Sequence, residues 1–83
     1  MRFEIRLFAV ARERAGTGVL EIDLPEPLTV RHLRCVLAQS CPALAELLTR
    51  VRIAVDSDFA DDDLVIHPGA EIAVIPPVSG GSS

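Results

Sequence analysis

The chain reads as an α+β domain, one sheet with a single main helix packed across one face. Three observations predict it. Residues 2–9 and 19–24 alternate apolar and polar side chains with a period of two. Residues 30–39 switch to helical spacing, and short strand-like stretches return between residues 52 and 75. A chain of 83 residues has room for one core and one domain.

In RFEIRLFA (2–9), Phe3, Ile5 and Leu7 fall on one side of a strand and Arg2, Glu4 and Arg6 on the other. Phe8 then falls on the polar side, which sends a large aromatic to the surface at the strand's end. The polar stretch ARERAGTG, with Gly16 and Gly18 as turn signals, leads to a second strand with Leu20, Ile22 and Leu24 inward. The two strands form a hairpin with a long connection. Pro25 and Pro27 stop the second strand, and Thr29 caps a helix that begins at Val30. On that helix Val30, Leu33, Val36 and Leu37 share a face while Arg31, Arg34 and Gln39 point away. Pro42 ends or kinks it, and residues 43–50 add a helical turn or two with Leu44, Leu47 and Leu48 inward. Residues 52–56 form a strand, with short segments near Phe59 and at 64–66. His67, Pro68 and Gly69 turn the chain into a last strand, 71–75, in which Ile72 and Val74 share a face. The composition then changes to proline, glycine and serine with nothing to bury. A folded body, residues 1–75, therefore carries a flexible tail, residues 76–83, with the Gly80–Gly81 pair near its end.

Hydrophobic residues make up 49% and charged residues 24%, a globular balance. No apolar run reaches the roughly 18 residues that would span a bilayer, and MRFEIRLF lacks the continuous apolar core of a signal peptide. A soluble cytoplasmic protein is expected. A net charge of −4 disfavours nucleic acid and anionic membranes as partners and suits a basic protein surface. All eight basic residues are arginine, so the chain cannot accept an isopeptide bond on its own side chains; base composition of the genome explains that absence as well.

Ordinary active-site constellations are missing. Cys35 and Cys41 are too few for a zinc or iron–sulfur site, and six positions apart on one helix they would lie about 240° apart around its axis. Both read as reduced thiols. His32 and His67 sit at unrelated places and read as surface or capping residues. Asp61, Asp62 and Asp63, near Asp56 and Asp58, lack the interleaved spacing and glycine of a calcium loop, so a solvated loop or a docking face for a basic partner is expected. No resident cofactor and no metal are expected.

The tail remains. A glycine pair without Cβ atoms passes through a slot that excludes other residues and adopts whatever backbone geometry the slot demands. A carboxylate on such a thread can be carried into another protein's active site, activated there and captured by a sulfur nucleophile.

Three stretches now carry a specific resemblance. LFAVARERAG (7–16), IAVDSDFADDD (53–63) and PGAEIAVIPPVSGG (68–81) together resemble the small subunit of molybdopterin synthase, a sulfur carrier with the ubiquitin-like β-grasp fold, a mixed sheet with one main helix. The resemblance is strongest from residue 68 to Gly81. It implies that Gly81, presented through Gly80, bears the reacting carboxyl: a ubiquitin-activating-like enzyme adenylates it with ATP, and a sulfur-transfer system converts it to a thiocarboxylate. The large synthase subunit then holds the tail while sulfur passes to cyclic pyranopterin monophosphate, in a heterotetramer of two copies of each subunit. The chain is thus the sulfur donor of an enzyme rather than an enzyme by itself.

Ordering residues 76–81 in a partner costs roughly 6–12 kcal/mol, so a patch on the body must help. The candidates are Phe8, Phe59 and Ile75, with Pro76, Pro77, Val78 and Ser79 at the tail's root. Arg12 and Glu13 match the resemblance too, as a structural salt bridge or a contact for the activating enzyme. Two positions depart from the pattern. Asp56 stands where asparagine is usual, and Ser82–Ser83 put the free carboxylate about 7 Å beyond Gly81. A processing protease that removes the two serines is therefore expected, the alternative being that they are an artificial addition. Other readings remain open: a carrier for thiamin, cysteine or another sulfur-bearing product, a protein modifier, or a β-grasp interaction module with an inert tail.

Overall fold

The alternation at the N-terminus folds into β1 (Arg2–Leu7), with Phe3, Ile5 and Leu7 buried and Arg2, Glu4 and Arg6 exposed. The computed structural model describes residues 2–24 and 27–77. β2 (Val19–Asp23) pairs antiparallel with β1, in a register that sets Arg2 opposite Asp23 and Ile5 opposite Leu20. The connection between them is not the plain loop its polarity predicts. It holds α1 (Ala9–Ala15), closed by Gly16, whose positive φ of 76° and N–H to the Arg12 carbonyl end the helix. This helix escapes sequence reading because its inward face is made of small residues: Ala11 is fully buried, and Val10 and Ala15 pack against the core beside it. At the free edge of β2, Thr17 Oγ1 accepts from the Val19 N–H and donates to its carbonyl, which blocks part of that edge to another strand.

After β3 (Leu28–Thr29), Thr29 Oγ1 accepts the His32 N–H at 3.2 Å and caps α2 (Val30–Ser40). Val30, Leu33 and Leu37 are buried in the main core, with Val36 partly so. Arg34 does not point away as its spacing predicts. Its Nη1 donates to the carbonyls of Leu48 and Val51, and its Nε lies 2.9 Å from Asp62 Oδ1. Of the two 3₁₀ turns that follow, Pro42–Leu44 and Leu47–Thr49, it therefore ties α2 to the second, to Val51 just beyond it, and to the acidic loop. Leu44, Leu47 and Leu48 are buried as expected, and Cys35 and Cys41 are free thiols.

β4 (Arg52–Val55) turns into β5 (Asp58–Phe59) through Asp56 and Ser57, both with positive φ (52° and 74°) as a two-residue hairpin turn of matching twist requires. β6 (Val65–Ile66) pairs with β3, and β7 (Ile72–Ile75) runs parallel to β1 and antiparallel to β4. The main sheet has the order β2–β1–β7–β4–β5, and its central parallel pair makes it mixed. Ile5, Leu7, Ile53, Ile72 and Val74 are buried in one core with Leu33 and Leu37 of α2. The β-grasp prediction is met. Among the described residues no helix is long and apolar enough to cross a membrane.

Leu33 is fully buried in this core. Leu33→Ala is expected to cost about 2–5 kcal/mol, removing packing that the neighbours recover only partly. Urea denaturation monitored by circular dichroism measures it.

Candidate functional site

β7 carries Ile72 and Val74 into the core, so the intervening Ala73 and Ile75 belong to the opposite, open face of the sheet. Ala73 sits directly across from Ala54 of β4, and this pair of short side chains lies in a shallow hollow of about 280 Å³. Phe8, Phe59 and Ile75 line the same hollow from three different elements. Phe8 is 47% exposed and Phe59 60%, while Ile75 is half-buried. Arg6 and Glu71, 3.8 Å apart, supply charge at the same hollow. Exposed aromatics gathered around one hollow are chemically suited to contact with another protein, the role expected of them from the sequence.

Each aromatic is displayed by local backbone geometry. Phe8 is extended, and Ala9 follows with a φ of 52°, a left-handed conformation that costs an L-residue about 1–2 kcal/mol. That abrupt reversal from strand to helix leaves the Phe8 ring at the sheet's surface while its carbonyl accepts the Ala11 N–H. Phe59 is opposite Ala54 on a two-residue edge strand, and the Arg52 guanidinium lies 4.7 Å from its ring centroid. The Asp56–Ser57 turn that projects β5 is pinned in turn. Asp56 Oδ1 accepts the Glu71 N–H at 3.0 Å, the Asp56 N–H donates to the Glu71 carbonyl, and Asp56 Oδ2 lies 2.8 Å from His67 Nε2.

His67 thus has a partner that its place in the sequence did not reveal. Its Nδ1 lies 3.0 Å from the Pro68 carbonyl, which accepts only, so both ring nitrogens face acceptors. Only the imidazolium satisfies both. The bond to Asp56, then the Pro68 carbonyl, raise the His67 pKa above 6.5; the Glu71 amide, then His67, lower that of Asp56 below 3.8. The His67 contribution to stability is complete below pH 6.5 and is lost as pH rises through the raised value. The Asp56 contribution is present above 3.8 and is lost as pH falls through the lowered value, so both operate between the two. In an NMR titration the His67 ring is expected to titrate above 6.5, and Asp56→Asn to bring it back down. An unchanged midpoint in that variant would contradict the pairing.

The acidic loop is held from within. Asp62 pairs with Arg34 and Asp63 with Arg31, and the loop's carbonyls at Asp62 and Leu64 accept the N–H groups of Arg31 and Val30 at the start of α2. Neither Arg12 nor Glu13 makes an ion pair among the described residues; Arg14 does, with Glu46 at 3.5 Å. A salt bridge, one of the two roles expected of Arg12 and Glu13, is thus not seen among the described residues. At the tail's root Pro76 is buried and Pro77 exposed, so the Pro76 ring packs with the body. Val78, Ser79, Gly80, Gly81, Ser82 and Ser83 lie outside the described residues. Ala54, Ala73, Arg6 and Arg52 complete the site. The alternation that buries Ile72 and Val74 already implied Ala73, whereas Ala54 and Arg52 become neighbours only through strand order.

The ThiS family model matches residues 5–81. A human molybdopterin synthase sulfur carrier subunit is 35% identical over 81 residues, an alignment covering 94% of this chain and 92% of the human protein. The crystal structure of SAMP1 from Haloferax volcanii superposes with a TM-score of 0.85 at 27% identity, covering 98% of this chain and all of that one. A chain from the complex of subunits 1 and 2 of the molybdopterin-converting factor of Helicobacter pylori superposes with a TM-score of 0.70 at 27% identity, again over 98% of this chain. A match that spans the sheet, the helix and the C-terminal stretch through Gly81 leaves no doubt of kinship: the chain belongs to the ThiS family.

Proposed function

We propose that the chain is the sulfur-carrier subunit of a molybdopterin synthase and donates sulfur from a thiocarboxylate at Gly81. The observation that carries this reading is the hollow of Phe8, Phe59 and Ile75, which lies on the strand that leads straight into the tail. Two functions are thereby divided between two parts of one strand's sequence. Ile75 and its aromatic neighbours dock the body, and the residues after Pro77 reach on into the partner. The partner is a large synthase subunit, of the kind bound in the Helicobacter pylori complex, in an assembly of two carriers and two large subunits in the cytoplasm.

In the reaction the Gly81 carboxylate attacks the α-phosphorus of ATP on an adenylating enzyme and pyrophosphate leaves. A sulfur nucleophile then displaces AMP, because a carboxylate oxygen departs only once it is part of a good leaving group. This chain contributes no acid or base to those steps. It supplies a slim acyl group and a docked body whose binding energy offsets the ordering of the tail. Ser82 and Ser83 lie past the last matched residue, and a protease must remove them before the Gly81 carboxyl exists. Reconstitution with the adenylating enzyme, a sulfur donor and the large subunit tests the reading. A chain ending at Gly81 is expected to sulfurate the pterin precursor and the full-length chain is not; equal activity of the two overturns the processing step.

A second reading has a specific support, the likeness to a small archaeal modifier protein. Conjugates linked by an isopeptide bond to lysines of other proteins, isolated from the native cytoplasm, would favour it.

A further inference from the structure

Around Phe59 lies a second recess, of about 460 Å³, between the β4–β5 hairpin and β6. Phe59, Leu64 and Val65 line it, exposed by 60%, 42% and 57%, which makes them three of the five large hydrophobic side chains exposed among the described residues. Asp58 and Asp61 line it as well. Unlike Asp56, Asp62 and Asp63, which face His67, Arg34 and Arg31, these two carboxylates form no ion pair among the described residues. His67 lines the recess too, its charge matched by Asp56, so exposed apolar area and the two unpaired carboxylates of Asp58 and Asp61 share one concavity. The recess adjoins the Ile72 end of β7, opposite Val55, whereas the tail leaves from the Ile75 end. It meets the first hollow at Phe59, which lines both.

We propose that this recess is a second docking surface for the large synthase subunit, occupied by a basic segment that sets an aliphatic side chain against Leu64 and Val65 and arginine or lysine against Asp58 and Asp61. The inference rests on the function proposed above. Continuity through Phe59 argues for the same partner, since a protein covering the first hollow covers one side of that ring and reaches the recess on the other. Charge complementarity argues for a basic segment: bringing a neutral or acidic one would leave two carboxylates desolvated without partners. Docking on two adjoining surfaces also fixes the orientation of the body, and with it the direction in which the tail enters the partner, which a single hollow does not.

The test is titration calorimetry of the purified large subunit against the full chain and the chain ending at Gly81, each as wild type and as Asp58→Lys/Asp61→Lys. Both substituted positions are exposed. Affinity is expected to fall roughly tenfold at low ionic strength, and by less than about threefold near 0.5 M salt, where charges are screened. Val65→Ser, another exposed position, is expected to weaken binding to a similar degree at both ionic strengths. Glu21→Lys/Glu46→Lys, which makes the same change in net charge elsewhere, is expected to bind as wild type. Equal affinity of wild type and both recess variants overturns the proposal, as does an equal loss in the control. A loss of affinity for the adenylating enzyme, titrated in the same way, with none for the large subunit overturns the choice of partner. Failure of the wild-type chain to bind the large subunit at all overturns the sulfur-carrier reading instead.

Discussion

Exchanging Gly81 for valine in the chain ending at residue 81 is expected to slow sulfur transfer to the pterin by at least ~100-fold while leaving the folded body intact. The reacting carbon would then carry a branched side chain, and the slot that admits a backbone without Cβ atoms would exclude it. A displacement of about 1 Å at a reacting centre is enough for such a loss. Residue 81 is six positions beyond Ile75, where β7 ends, and none of the buried core residues is altered by the substitution. Single-turnover sulfuration measures the rate, and a melting curve checks the body. A rate within about threefold of wild type would contradict the threading role.

The next largest effect is expected from Phe8→Asp and Phe59→Asp, each of which should weaken binding of the large subunit by about 30-fold or more. An aromatic anchor at the centre of an interface is worth about 2 kcal/mol on truncation, and a carboxylate in its place adds a desolvation cost. Both rings are largely exposed in the free chain, so its own stability should change by only about 1 kcal/mol, even though Phe59→Asp also takes the ring away from the Arg52 guanidinium. The distinction matters because a core aromatic would lose folding and binding together. Calorimetric titration with the large subunit, paired with urea denaturation of the free chain, separates the two. Undiminished affinity in either variant would remove that ring from the docking surface.

The parts of this site that could be read from sequence are those in which one residue's position decides its surroundings. Phe8 breaks the alternation of β1, and Phe59 sits among carboxylates, so exposure of both followed from pattern alone. Thr29 and Pro42 marked both ends of the main helix because each acts on its own neighbours. What escaped depends on residues far apart in the chain. Arg34 has helical spacing for the solvent face, yet carbonyls at Leu48 and Val51 draw it inward. His67 meets Asp56 only because β7 lies beside β4, and that same adjacency sets Ala73 against Ala54 to form the hollow. α1 escaped for a different reason: an alanine face carries too little hydrophobic contrast to register as helical periodicity.

Asp56 shows how a departure from a familiar pattern gains meaning from structure. A carboxylate there accepts from both the Glu71 amide and the His67 ring, and it pins the turn that presents Phe59. An asparagine would still accept from the amide but would carry no charge to hold the imidazolium.

The most direct measurement is the intact mass of the chain isolated from its native cells. Delivery of sulfur by the C-terminal acyl group requires a species that stops at Gly81 and carries one sulfur in place of one terminal oxygen. A population ending wholly at Ser83, with oxygen only, would contradict it.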